Sequence, residues 1–154
     1  MIIIFLNLSK KAMSSFHSLR VSNIDKLTSK AVIVSFEIPP TLMGDFNFMA
    51  GQYISLQTQI AGSQVRRSYS ICSVPQSGVL QVGIKQVPEG VFSTYATQQL
   101  AVGDFLEVSV PEGRFTLAPE LNESTIVGIA AGSGITPIMS IIKFVLQSDS
   151  NSQF

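Results

Sequence analysis

From Phe16 to Pro75 apolar and polar residues alternate in short runs, the period-two mark of strands that bury one face. Leu19-Arg20-Val21-Ser22-Asn23-Ile24 alternates, and the β-branched run Ala31–Ile38 ends at Pro39-Pro40. A loop with Gly44, Asp45 and Asn47 leads to a further alternating run, Gly51–Thr58. Ala61-Gly62-Ser63 turns the chain into Arg66–Ser73, and Gln76-Ser77-Gly78 makes the next hairpin turn. Val79–Val87 places Val79, Gln81, Gly83 and Lys85 on one face, with Leu80, Val82 and Ile84 on the other. After Pro88-Glu89-Gly90 the spacing becomes helical over Val91–Leu100, with Phe92, Tyr95, Ala96 and Gln99 on one stripe. Val102-Gly103-Asp104 is a turn, Phe105–Val110 alternates again, and Arg114–Leu117 reads as a short last strand. Short strands with so little helix between them predict an antiparallel barrel or sandwich.

The pattern changes at Ser124. Thr125–Ala131 is an unbroken apolar run of the kind found in parallel strands covered on both faces. Gly132-Ser133-Gly134 follows, then a helix-spaced stretch from Ile135 to Leu146 with Thr136 as N-cap and Pro137 at the first helical position. Strand, glycine turn and helix open a nucleotide-binding α/β unit, although Pro137 stands where a dinucleotide fingerprint would have its third glycine. The expected organisation is a leader over 1–15, a β domain over 16–120, and the first βα unit of a second, truncated domain over 121–154. Unpaired, the apolar faces of Ile126–Ala131 and Ile138–Leu146 would be exposed and favour association.

Composition narrows the function. At 154 residues, 45% hydrophobic and only 13% charged, the chain can bury a real core. Ten basic residues balance ten acidic ones, so no field draws nucleic acid or an anionic membrane, and any anion site must be local. Cys72 is the single cysteine, which excludes an internal disulfide, a cysteine zinc site and a four-thiolate iron–sulfur cluster; a reducing cytoplasm is the expected location. His17 is equally alone, so no histidine metal cluster can form. Met1–Leu6 is apolar but far too short to span a bilayer, Lys10 and Lys11 follow rather than precede it, and Met13 would serve equally as a start.

The chemistry concentrates in Arg66-Arg67-Ser68-Tyr69-Ser70-Ile71-Cys72-Ser73, a cationic and aromatic island among apolar strands. On a strand, Arg67, Tyr69 and Ile71 point one way and Arg66, Ser68, Ser70 and Cys72 the other. A guanidinium beside a phenol suits a ligand carrying both a phosphate and a flat ring, although a solvated strand would have the same residues. Gly90 and Ser93 lie at a helix start, which is either an anion seat or an ordinary N-cap.

Together, Arg67-Ser68-Tyr69-Ser70, Gly90-Val91-Phe92-Ser93 and Gly132-Ser133-Gly134-Ile135-Thr136-Pro137 resemble, in order and spacing, the ferredoxin–NADP⁺ reductase superfamily. The nearest likeness is to reductase components of phenylacetyl-CoA epoxidase and ring-hydroxylating systems. The resemblance covers Phe16 to Phe154 and implies a mainly β fold: a six-stranded antiparallel FAD-binding barrel, then the first βα unit of an α/β nucleotide-binding domain. It implies that Arg67 grips the FAD pyrophosphate with Ser68 beside it, that Tyr69 stacks on the isoalloxazine, and that Ser70 hydrogen-bonds near flavin N5. Because Tyr69 and Ser70 alternate, a twist or bulge is needed to bring both to the flavin. Gly90, Val91, Phe92 and Ser93 would seat the pyrophosphate, and Val82, Ile84 and Lys85 would flank the ribityl and adenine part. Gly132, Ser133, Gly134, Thr136 and Pro137 would meet NADPH or NADH, with Thr136 over the flavin's reactive edge; Ser70 and Thr136 are the expected catalytic pair. The implied activity is an NAD(P)H-dependent flavin oxidoreductase passing electrons to an iron–sulfur centre of an oxygenase or epoxidase component in phenylacetate degradation. The family's 2Fe-2S domain and most of its nicotinamide domain have no counterpart in this chain, so a catalytically inactive flavin-binding module is the alternative.

Overall fold

A computed structural model describes residues 15–75, 77–117 and 126–148. Residues 1–14 of the expected leader 1–15, Gln76, residues 118–125 and residues 149–154 lie outside the described residues.

Six antiparallel strands form one curled sheet: β1 (Phe16–Thr28), β2 (Ala31–Glu37), β3 (Tyr53–Ile60), β4 (Ser63–Ser70), β5 (Leu80–Lys85) and β6 (Phe105–Ser109). Their order is β4-β3-β6-β1-β2-β5, so β4 and β5 are the two edges. Curling brings these edges together, and just past β4 they touch through an Ile71–Val82 bridge and a Cys72 N–H bond to the Gln81 carbonyl at 2.9 Å. The result is a barrel with an incompletely closed β4/β5 seam.

The alternation sets the packing. Leu19 and Val21 of β1, Val34 of β2, Ile54 and Leu56 of β3, Leu80 and Val82 of β5, and Leu106 and Val108 of β6 all point into one core. Each such side chain, fully removed from water, contributes about 1.5–3 kcal/mol. The helix α1 (Val91–Gln98) covers the core with Phe92 and Ala96. At the β3–β4 hairpin, Ala61 and Gly62 both take positive φ, 48° and 79°, as a two-residue turn of the primed kind demands.

Three expectations need correction. Arg114–Leu117 forms no strand; pairing there is a single Tyr53–Glu112 bridge, and the Phe115 carbonyl presses on Gly51 instead. The apolar run 126–131 is not a strand either, because no described strand lies beside it to take its backbone hydrogen bonds, and Val127 and Ile129 are 80% and 90% exposed. The final helix, α2, runs Ile135–Ser148 after a 3₁₀ turn at Gly132–Gly134, so Thr136 lies inside its first turn rather than capping it. The helix's apolar face is covered in part, with Met139 and Leu146 still exposed. Ile138, Ile141 and Val145 are buried, the last two in a small second core with Ala50.

Candidate functional site

The β4 register against β3 runs unbroken from Tyr53 opposite Ser70 to Ile60 opposite Ser63. No bulge interrupts it, so of the two devices expected to bring Tyr69 and Ser70 to one ligand, the twist at the strand end, where pairing stops at Ser70, is the one left. On one side, Arg66 donates to Ser55 Oγ at 3.2 Å and lies 4.7 Å over the Phe16 ring, while Ser68 and Ser55 share a 2.9 Å hydroxyl bond. Arg66 is thereby engaged by its own sheet. On the other side stand Arg67 and Tyr69, opposite Leu56 and Ile54. The exposed Arg67 donates only to the Arg66 carbonyl at 2.7 Å, and no carboxylate pairs with it among the described residues. Each guanidinium spends one donor, but Arg66 is also held over the Phe16 ring, whereas Arg67 has no second partner among the described residues.

Tyr69 is half-buried, its ring 5.8 Å from Phe92, which in turn meets Tyr95 at 6.2 Å. Burial pushes the Tyr69 phenol up to about 12, against the pull of Arg67, so it is a neutral ring with a hydroxyl near neutral pH.

Phe92 belongs to α1, whose start is built around a glycine. A Cβ on Gly90 would fall 2.4 Å from Ser93 Oγ and 2.5 Å from Val87 Cγ2, so no larger residue fits unless these move. Ser93 is buried; its hydroxyl accepts from the Val87 N–H and donates to the Gly90 carbonyl, both at 3.2 Å. The hydroxyl thus ties the helix start to the chain that leads into it. The first intrahelical bond is Thr94 N–H to the Gly90 carbonyl, which leaves the amides of Val91 and Phe92 ahead of the ladder.

Val82 and Ile84 turn their side chains into the core, so only their backbone could meet a ligand. Lys85 is exposed at the end of β5. The glycine turn comes to this same strand: Thr136 Cγ2 lies 3.0 Å from where a Cβ on Gly83 would be, and Thr136 Oγ1 donates to the Ser133 carbonyl at 2.9 Å. Gly132 uses a φ of 58° to make the turn, and Pro137 is half-buried behind it. The end of β4, the start of α1 and the glycine turn, far apart in the chain, gather along the β4/β5 seam.

Cys72 is buried just past β4, its thiol toward the Gln81 carbonyl at 3.5 Å. Burial raises its pKa, while Lys143 and a backbone bond act the other way. Sequence reasoning missed two residues here, Ser140 and Lys143, whose side chains reach the carbonyls of Ser73 and Cys72. The available signal was a pair of polar residues three apart within an apolar helical stretch.

The residues present fit a flavin dinucleotide: a guanidinium with free donors, an aromatic ring beside it, and a glycine-built helix start with unbonded amides. Residues 18–117 match the family model described as "Oxidoreductase FAD-binding domain". Over 143 residues the chain is 39% identical to a component of the 1,2-phenylacetyl-CoA epoxidase of Escherichia coli (strain K12), covering 92% of this chain and 40% of that protein. It is 34% identical over 131 residues to a flavohemoprotein of Halalkalibacterium halodurans, covering 79% of this chain and 32% of the relative. The chain therefore spans two fifths or less of these relatives' length. Among solved structures, phthalate dioxygenase reductase, described as a modular structure for electron transfer from pyridine nucleotides to [2Fe-2S], superposes with a TM-score of 0.73 at 26% identity, over 86% of this chain and 40% of that one.

Proposed function

The chain belongs to the oxidoreductase FAD-binding domain family, and on that premise we propose that it is the flavin-holding part of an NAD(P)H-dependent electron-transfer reductase. Bound FAD would supply the redox chemistry, accepting a hydride from a nicotinamide and handing its two electrons on singly. The protein's own share is binding and orientation. Arg67 neutralises the pyrophosphate, the backbone of Ser68 runs beside it, and the amides of Val91 and Phe92, positioned by Gly90 and Ser93, complete the anion seat. Tyr69 offers its ring to the isoalloxazine, and Ser70 at the strand end offers a hydroxyl toward N5. The backbone of Val82 and Ile84, with Lys85, lines the ribityl and adenine side. Gly132, Ser133, Gly134, Thr136 and Pro137 keep the approach for NADPH or NADH narrow and free of bulk. The electrons pass to an iron–sulfur centre serving an epoxidase or oxygenase component that acts on phenylacetyl-CoA, a reading supported by the 39% identity to the epoxidase component. Cytoplasmic residence accords with the lone buried thiol; among the described residues no helix is long and apolar enough to cross a membrane.

The observation that carries the proposal is the exposed Arg67 guanidinium, bonded only to the Arg66 carbonyl among the described residues, beside the Tyr69 ring at the seam. Its test is FAD titration followed by flavin absorbance and fluorescence quenching. The wild-type chain is expected to turn yellow and hold FAD through gel filtration, and Arg67→Ala to weaken binding by about 2 kcal/mol. A chain that stays colourless with excess FAD would overturn the proposal, and undiminished affinity in Arg67→Ala would remove that residue's role.

A further inference from the structure

The flavin strand and the glycine turn are joined by a connection that neither motif contains. Past Ser70 the chain continues as Ile71-Cys72-Ser73, held by Ile71 N–H to the Gln52 carbonyl and Cys72 N–H to the Gln81 carbonyl, both at 2.9 Å. The carbonyls of Cys72 and Ser73 are bonded instead from α2. Ser140 Oγ donates to the Ser73 carbonyl at 2.7 Å, and Lys143 Nζ donates to the Cys72 carbonyl at 3.3 Å. Ser140 is fully buried. These residues are three apart, on one side of the helix, and Thr136 stands one turn earlier, against Gly83 of β5. The helix therefore touches both lips of the seam.

The rest of the α2 contact is apolar, through Ile141 and Val145 against Ala50. Apolar packing is non-directional and tolerates sliding and rotation, whereas a buried hydroxyl-to-carbonyl bond has a short range and a preferred angle. Moreover, an α2 shifted along its axis would leave a buried hydroxyl and a carbonyl without partners.

We infer that Ser140 and Lys143 are positioning residues. They set the place of the Gly132–Thr136 turn relative to Tyr69 and Ser70 by clamping α2 to the carbonyls immediately downstream of the flavin strand. The significance of that placement rests on the flavin reading, but the clamp itself is a property of the chain with or without FAD.

Two measurements separate these levels: hydrogen exchange by mass spectrometry on the chain with and without FAD, and visible circular dichroism of the bound flavin. Ser140→Ala and Lys143→Met are expected to speed exchange in peptides covering 131–137 about ten-fold, the loss of one buried hydrogen bond, while peptides of β1, β2 and β6 exchange as before. Lys143→Arg, which keeps a cationic donor, is expected to restore slow exchange. Both disruptive variants should diminish the flavin's dichroic band while FAD affinity stays within about three-fold, because Arg67 and α1 are untouched. Unchanged exchange at 131–137 would overturn the clamp; so would acceleration spread evenly over the barrel, which marks a merely structural role. A wild-type chain that takes up no FAD would overturn the flavin reading alone, and the exchange comparison would still decide the clamp.

Discussion

Ile54 and Ile129 are the same side chain in two similar-looking runs, and they meet opposite fates. Ile54 in β3 is fully buried; Ile129 is 90% exposed. β3 has β4 on one side and β6 on the other, and its inner face meets Leu106, Val108 and the rest of the core. The run 126–131 has no described strand on either side. Apolar β-branched character is thus a statement about which environment a segment can occupy, and neighbouring strands decide whether that environment exists. In the barrel, antiparallel neighbours, two of the pairs local hairpins, are in place on both sides of β3; at 126–131 the pattern asks for two covered faces and a parallel partner.

The sharpest way to break this comparison is to truncate both isoleucines. Ile54→Ala should cost about 4 kcal/mol in urea unfolding, through lost transfer energy and the cavity left behind. Ile129→Ala should change stability by less than about 0.5 kcal/mol, as exposed substitutions do. Comparable losses at the two positions would mean that 126–131 is packed in solution. Next in size is Gly51→Ala. Gly51 has a φ of 98°, and an added Cβ would lie 1.8 Å from the Phe115 carbonyl oxygen. The expected loss is about 3 kcal/mol, because neither backbone can yield cheaply. A near-neutral effect would show that the 111–117 segment is not fixed against the barrel.

How far the pattern could be read follows from the range of each interaction. Burial of Leu80, Val82 and Ile84 was visible in their alternation, and the helix at Phe92 and Ala96 in its spacing, because both depend on residues a few positions apart. The three motifs named the β4/β5 seam residues, though not that Ser93 would spend its hydroxyl on Val87 and Gly90. That needs the close approach at Gly90, a three-dimensional fact. The Ser140 and Lys143 bonds span 67 and 71 residues, so the local pattern marks the pair as polar on an apolar helix but not the carbonyls that they reach. The strand expected at 114–117 is absent for the converse reason: Phe115 and Leu117 alternate with polar residues, yet in this segment's neighbourhood Glu112, upstream, is the described residue with a bridging partner.

A smaller effect sharpens the comparison from the site's side. Tyr69, unlike Val127 and Ile129, is held against the core, and burial raises its phenol from 10.0 to about 12 with Arg67 opposing. Between those values the unfolded chain releases the proton while the folded chain keeps it. Stability contributed by the neutral phenol is therefore intact below pH 10 and is lost as pH climbs toward 12. Tyr69→Phe should flatten this alkaline decline, leaving the slope due to Tyr95, which burial and Asp104 also raise. An identical decline in Tyr69→Phe would place the ring in water.

The smallest expected effect lies in the hairpin that delivers β4 to the seam. Ala61 sits at a φ of 48°, in the left-handed region that an alanine enters only at a cost, and Gly62 follows at 79°. The primed turn requires both, since its twist must match that of the flanking strands, whose register holds from Ile60 opposite Ser63 to Tyr53 opposite Ser70. Strain at one turn residue is thus borne by the pairing of the whole hairpin. Relieving it with Ala61→Gly should gain stability, but glycine's extra freedom in the unfolded chain offsets part of the relief, for a net of about 0.5–1 kcal/mol. Ala61→Asn, which tolerates the same backbone without glycine's entropy, should do at least as well. Because the turn lies at the far end of β4 from Tyr69, FAD affinity should not follow the gain. A rise in urea midpoint with a parallel change in FAD affinity would instead mean that hairpin strain reaches the seam, and that β4 is tuned as one unit from turn to site.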